Sequence, residues 1–295
     1  MRNVEKFENV AKRMAATGMI ADFAVVTKNG VEKASIVCGP NKRVQMRIYV
    51  DIMLNDTEDE IFEKVMRIYE NEMLNYQDMQ AQDTASFINW EKVKDKIHFK
   101  LLPKREEILE TRVTTEYLDL VKVYDITITE NSSVVVSKRL FDEWNISVEE
   151  LDAVAMTNTE RDLPVLSANI STIIHDIAQD GELSEADEEM FSQQLIPMDV
   201  LTNAKKMHGA AVILYPSVQT ALKRLAKAKD TDLYILPSSI HELILITASD
   251  AEPLDPQELK ETIHAVNDTE VAEEDLLSYS LYKYDKDLQK VVIAN

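Results

Sequence analysis

Apolar side chains at Val4, Phe7, Val10, Ala11 and Met14 recur at spacings of three and four, the stripe that one buried helix face needs, and predict an opening helix. The period then changes. ADFAVVTKNGVEKASIVCG places Asn29-Gly30 between two β-rich runs, and that pair accepts the positive φ angles of a tight hairpin turn. In RVQMRIYVDIML, Val44, Met46, Ile48, Val50 and Ile52 alternate with polar or amphipathic neighbours, so a third strand with one buried face follows. Thr57 and Glu60 form a capping-box pattern that starts a helix reaching about residue 78. The N-terminal unit reads α-β-β-β-α.

The pattern weakens around KLLPKREE. EYLDLVKVYDITI, the turn residues Glu130-Asn131-Ser132 and VVVSKRLF then predict a second hairpin. Ser147 and Glu150 repeat the capping box ahead of a helix over WNISVEELDAVAMTN. AQDGELSEADEEM reads as a turn and then a helix. Further on, GAAVILYP is a short apolar run that predicts a central strand, and Ser217 opens the helix VQTALKRLAKAK. DLYILP and HELILITA predict strands either side of Pro237-Ser238-Ser239. Asp255-Pro256 with Glu258 marks a helix start, and SLYKYDKDLQKVVIA closes as a hairpin.

These elements predict an α+β fold, mostly antiparallel sheets built from hairpins with helices packed on them. No Pro/Ser-rich linker divides the chain, so the boundary falls in the weakly patterned stretch: an N-terminal unit over 1–105 and a C-terminal α+β unit over 113–295. Composition changes this picture little. With 45% apolar residues, 5 Gly and 8 Pro in 295 residues, the chain is neither disordered nor a loop-dominated scaffold. It has no apolar run of membrane-spanning length and no N-terminal run of signal-peptide length, and its lone cysteine, Cys38, leaves no internal disulfide; a reducing cytoplasm is the expected compartment.

Charge changes the picture more. The net charge of −21 repels a phosphate backbone, so direct nucleic-acid binding is not expected. Residues 142–200 hold fifteen Asp or Glu against one Arg or Lys, Arg161, which is net −14 of that total. A run of this kind is commonly a solvated helical face. The sharper reading is an acidic surface, with Glu182, Glu185, Asp187, Glu188 and Glu189 at its centre, that meets a basic protein partner.

The densest set of reactive side chains is Pro237-Ser238-Ser239-Ile240-His241-Glu242. A hydrolytic site would need one hydroxyl bonded to the imidazole and a third group orienting that ring, with Tyr215 or His208 as possible neighbours. Adjacent side chains on a strand point to opposite faces, so His241 and Glu242 do not pair readily. The plainer reading makes the serines turn formers and His241 a structural residue. His98, His175, His208, His241 and His264 lack zinc-site spacing. Asp176, Asp180, Gly181 and Asp187 fit a calcium loop poorly, because its third position is Ala178 and its twelfth is Asp rather than Glu. No metal and no cofactor is expected. Five glycines leave no material for a phosphate cradle, and Cys38 reads as packing rather than a reactive thiol.

Four stretches carry a family resemblance: Trp144-Asn145-Ile146-Ser147, Leu201-Thr202-Asn203, Leu214-Tyr215-Pro216 and Leu236-Pro237-Ser238-Ser239-Ile240-His241-Glu242. Over roughly residues 40–295 the chain resembles a bacterial family, domain of unknown function 5688, which has glycine where this chain has Asn145. The resemblance implies a similar α/β series and a setting on mobile elements of gut anaerobes, and it carries over no catalytic residue. The leading expectation is a non-enzymatic acidic interaction protein of such an element or its host. The alternative is a small hydrolase-like enzyme with its site near Ser238, Ser239 and His241.

Overall fold

The computed structural model describes residues 2–28, 31–41, 44–80, 89–129, 132–170, 198–247 and 255–294. The chain divides into two compact units, one of residues 1–87 with 129–132, the other of 88–128 with 133–295. The described residues form three antiparallel sheets with helices packed on them, an α+β fold.

In the first unit α1 (Arg2–Ala16) leads into a sheet of β1 (Ile20–Lys28), β2 (Val31–Asn41) and β3 (Val44–Tyr49), followed by α2 (Glu58–Gln80). Lys28 pairs with Val31, the register of a two-residue connection, as the Asn-Gly pair requires. Phe7, Val10, Ala11 and Met14 of α1 meet Ile36, Cys38 and Ile48 of the sheet and Ile61 and Val65 of α2 in one core. The capping box at Thr57 is complete. Glu60 N–H donates to Thr57 Oγ1 at 3.3 Å and Thr57 N–H donates to Glu60 Oε2 at 2.8 Å, which satisfies two otherwise orphaned donors. The alternation running to Ile52 overshoots, because β3 ends at Tyr49. Asp51 Oδ1 accepts the Ala34 N–H at 2.7 Å in place of a ladder carbonyl, and residues 51–53 coil into a 3-10 turn that buries Met53 and leaves Ile52 90% exposed.

The second unit starts with a single helical turn, α3 (Trp90–Val93), and β4 (Ile97–Pro103). This strand lies in the stretch whose pattern was weakest. It pairs from Ile97 to Pro103 with β6 (Leu120–Thr129), and both strands of that ladder lie in the second unit up to residue 128. After α4 (Glu106–Thr111), β5 (Thr114–Tyr117) forms a tight hairpin with β6, with Leu118 at φ 54° in its turn. β7 (Ser132–Val135) also pairs with β6, as expected of the second hairpin, but KRLF does not extend it. Ser137 Oγ accepts the Leu140 N–H at 3.2 Å and caps α5 (Lys138–Trp144). Helix α5 ends at Asn145, φ 52°, a left-handed position that glycine takes without strain and asparagine tolerates best of the side-chain-bearing residues.

Helix α6 (Val148–Asp162) lies against β4, held by buried polar groups as well as apolar ones. Asn158 Nδ2 donates to the carbonyls of Lys94 and Ile97 at 2.7 and 3.0 Å, and Phe99 N–H donates to Thr159 Oγ1 at 3.0 Å. From the same helix Asp152 accepts from the buried ammonium of Lys122 and, at 2.7 Å, from the Tyr124 hydroxyl. The larger sheet contains β8 (Val165–Asn169), β9 (Met198–Asn203), β10 (Leu233–Pro237), β11 (Leu243–Thr247), β12 (Tyr282–Asp285) and β13 (Lys290–Ile293) in the order β13-β12-β10-β11-β9-β8. Helix α7 (Pro216–Lys229) buries Val218, Leu222 and Ala226, while α8 (Pro256–Thr269) sets Ile263 on Leu236, Ile246 and Leu281.

GAAVIL is not a strand. Gly209–Leu214 forms a buried 3-10 segment, and the place beside β11 is taken by β9, whose Leu201 pairs with Leu243. A short apolar run reports burial equally well for either backbone, so its period cannot choose between them. The helix that follows starts at Pro216, one residue ahead of Ser217.

Candidate functional site

Antiparallel pairing of Pro237 with Leu243 leaves Ser238–Glu242 as the connection between β10 and β11, so the densest set of reactive residue types sits at a sheet end. Three of its hydrogen bonds close the turn on itself. Ser239 N–H donates to the Glu242 carbonyl at 3.2 Å, His241 N–H donates to Ser239 Oγ at 3.0 Å, and the Ser238 hydroxyl donates to Glu242 Oε1 at 3.4 Å.

The His241 ring is committed on both sides. Its Nδ1 lies 3.1 Å from the backbone nitrogen of His208, which can only donate, so Nδ1 carries a lone pair and the ring proton sits on Nε2. That proton points to Asp275 Oδ1 at 3.2 Å. The His208 ring packs beside it, the centroids 5.6 Å apart. Bonds to backbone carbonyls clasp the same turn: the Thr202 hydroxyl donates to the His241 carbonyl at 2.8 Å, and Ile240 N–H donates to the Asp275 carbonyl at 2.8 Å. Gly209 lies so close to these groups that a Cβ there would meet Thr202 Oγ1 at 2.1 Å and the His241 carbonyl oxygen at 2.4 Å.

An imidazole and carboxylate are thus together, but the third member of a hydrolytic set is not in place. Nucleophile activation needs a ring nitrogen facing a hydroxyl. Here Nδ1 faces a backbone amide, Nε2 faces a carboxylate, and the two serine hydroxyls serve the turn. Tyr215 lies elsewhere, its hydroxyl donating to the Leu163 carbonyl at 3.0 Å and its ring edge-on to Phe99. His208 does join His241. Asp275 and Thr202 were invisible as partners, since Asp275 is one of several acids in VAEEDLL and no local pattern ties it to a histidine 34 residues away.

Cys38 is fully buried in the first unit's core, and burial pushes its thiol up to about 11, so it is a packing residue with almost no thiolate at neutral pH. Among the described residues no three His, Cys, Asp or Glu side chains converge in a way that could hold a metal ion, and no helix is long and apolar enough to cross a membrane.

Glu182, Glu185, Asp187, Glu188 and Glu189 lie outside the described residues, as do Asp176, Asp180 and Gly181. Part of the acidic run does lie within them, at the corner joining α5 to α6. Asp142 and Glu143 in the last turn of α5, and Glu149 and Glu150 in the first turn of α6, are exposed on either side of Asn145. Glu149 and Glu150 complement the positive end of the helix dipole, whereas Asp142 and Glu143 oppose its negative end, a placement that costs a helix stability. Glu150 also leaves its capping box half made. Its N–H donates to Ser147 Oγ at 3.1 Å, but its carboxylate accepts the Trp90 indole N–H at 3.1 Å instead of the Ser147 amide. No described Lys or Arg reaches ion-pair distance of Asp142, Glu143 or Glu149.

The family model described as Family of unknown function (DUF5688) matches residues 4–286 of this chain. No curated protein and no solved structure matches it.

Proposed function

Because the chain belongs to the family of unknown function DUF5688 and that membership assigns no activity, we propose from its own residues that it is a non-enzymatic interaction protein whose acidic surface engages a basic protein partner. One observation carries this reading. Asp142, Glu143 and Glu149 stand exposed at the α5–α6 corner with no described Lys or Arg within ion-pair distance, two of them where the helix dipole disfavours a carboxylate. Side chains placed against helix stability are better explained by what they meet than by what they hold together. They begin the run that gives residues 142–200 a net charge of −14.

Such a field attracts a cationic surface and speeds its encounter, and it repels nucleic acid. The proposed setting is the cytoplasm, where one cysteine suffices as packing. The decisive experiment captures partners on the tagged full chain from nuclease-treated lysate at low and high salt, beside two variants. One carries Asp142→Lys, Glu143→Lys and Glu149→Lys; the other carries Lys at Glu182, Glu185, Asp187, Glu188 and Glu189. A basic protein retained at low salt, released at high salt and lost from either variant is the expected result. Retention of the same proteins by both variants, without salt dependence, would overturn the proposal. The hydrolytic alternative has a separate readout, fluorophosphonate labelling of the wild type that disappears in Ser238→Ala or Ser239→Ala.

A further inference from the structure

We infer that His241 is a pH-operated catch on the His208 amide, holding that end of the β9-to-3-10 connection when neutral and releasing it when protonated. The segment, residues 204–209, is anchored along its length: Ala204 N–H donates to the Pro164 carbonyl at 2.9 Å, Lys206 N–H to the Asn203 carbonyl at 2.9 Å, and the next residue, Ala210, donates its N–H to the Ile240 carbonyl at 3.2 Å. At its base, Asn203 folds the chain back: its side chain accepts the Lys205 N–H at 3.0 Å and donates to the Met207 carbonyl at 2.9 Å. At its far end stands His208 N–H, donating to His241 Nδ1 at 3.1 Å. Within it Lys206 and His208 both occupy left-handed backbone, φ 53° and 52°, which side-chain-bearing residues keep only where their surroundings enforce it.

The chemistry of the catch follows from the donor inventory. With a backbone amide at Nδ1, the ring must be the neutral Nε2–H tautomer, and Nε2–H donates to Asp275. Adding the second proton places it on Nδ1, where an N–H now faces an N–H. The imidazolium keeps and strengthens its bond to the Asp275 carboxylate, so the group that yields is the His208 amide. Protonation thus exchanges an anchor on residues 204–209 for a firmer anchor on Asp275. Two titratable groups face the ring, the Asp275 carboxylate at 3.2 Å and the His208 ring with its centroid 5.6 Å away. Glu242, next along the turn, is engaged with Ser238.

The test is amide hydrogen exchange read by NMR on the whole chain, with intrinsic rates corrected for pH. Protection of the His208 amide should fall about tenfold between about pH 8 and pH 5, the worth of one ordinary hydrogen bond, while the Ile240 amide, bonded to the Asp275 carbonyl, stays protected. In His241→Asn, which keeps an acceptor and a donor but does not titrate, the fall should vanish. A histidine nitrogen spectrum of the wild type at pH 8 supplies a check that needs no variant. The Nε2–H tautomer is expected for His241, and an Nδ1–H tautomer, or His208 protection that does not change with pH, would sink the inference.

Discussion

Gly209 and Thr202 approach so closely that a single added methyl group on the glycine would lie 2.1 Å from the threonine hydroxyl oxygen. Thr202 cannot swing away freely, since its hydroxyl donates to the His241 carbonyl. Backbone at Asn203 closes the third side, 2.8 Å from the same point. Gly209→Ala should therefore destabilise the second unit by about 2–3 kcal/mol, the cost of forcing volume into a packed site. Urea unfolding followed by circular dichroism checks this, and a variant as stable as the wild type would mean that the loop repacks.

Lys122 and Asp152 make a second test of the core. The Lys122 side chain is 7% exposed, and the ammonium sits 5.6 Å above the Phe99 ring. Asp152→Ala leaves that charge without its carboxylate and also removes a partner of Tyr124. A loss of about 2–3 kcal/mol is expected, below that for a fully buried pair because Asp152 itself is 29% exposed. Lys122→Met combined with Asp152→Leu should recover most of it, since an apolar pair pays no desolvation cost. Denaturant midpoints of the three variants decide the point.

Helix α6 depends on its cap. Ser147→Ala removes the acceptor for the Glu150 N–H and should cost about 1 kcal/mol, with Ser147→Asp restoring it. Because Glu150 turns to Trp90 rather than back to Ser147, Glu150→Gln should change stability less than a complete capping box would suggest. Thermal melts of the set give the comparison.

Alkaline conditions should weaken the fold. Burial raises the ionisation of Tyr117, Tyr124, Tyr215 and Tyr282 above the ordinary tyrosine range. In the unfolded chain those hydroxyls ionise near about pH 10. A folded pKa above the unfolded one means that the stability is fully present below that value and is lost as pH rises past it. Urea midpoints should hold steady up to about pH 9 and fall beyond about pH 10, and a flat profile to about pH 11 would show these tyrosines to be solvated.

Cys38 titrates in the same direction. Its thiol, held up to about 11 by burial, should react with a thiol reagent at pH 8 about two orders of magnitude more slowly than an unfolded control. Rapid labelling in the native state would show that the first unit's core opens readily.

What the sequence determined by itself was local chemistry. Period-three-and-four spacing in α1, the Asn-Gly register of β1 and β2, the caps at Thr57, Ser147 and Asp255, and the closing hairpin all follow from interactions within a few residues, and the chain carries them on its surface. Tertiary structure decided everything for which local preference is neutral. GAAVIL is apolar enough for a central strand, yet β9 occupies that place and the run coils beneath it, because burial satisfies apolar side chains in either backbone. Ile52 continues an alternating pattern into solvent because the Asp51 carboxylate, not the strand, accepts the Ala34 amide. At the β10–β11 turn the residues Ser238, Ser239, His241 and Glu242 were legible, but their roles were not. Those depended on Asp275 and the His208 amide, brought to the ring from two distant segments, and on Thr202, which holds the His241 carbonyl; a hydrogen bond between such segments leaves no period or spacing in the chain that makes it.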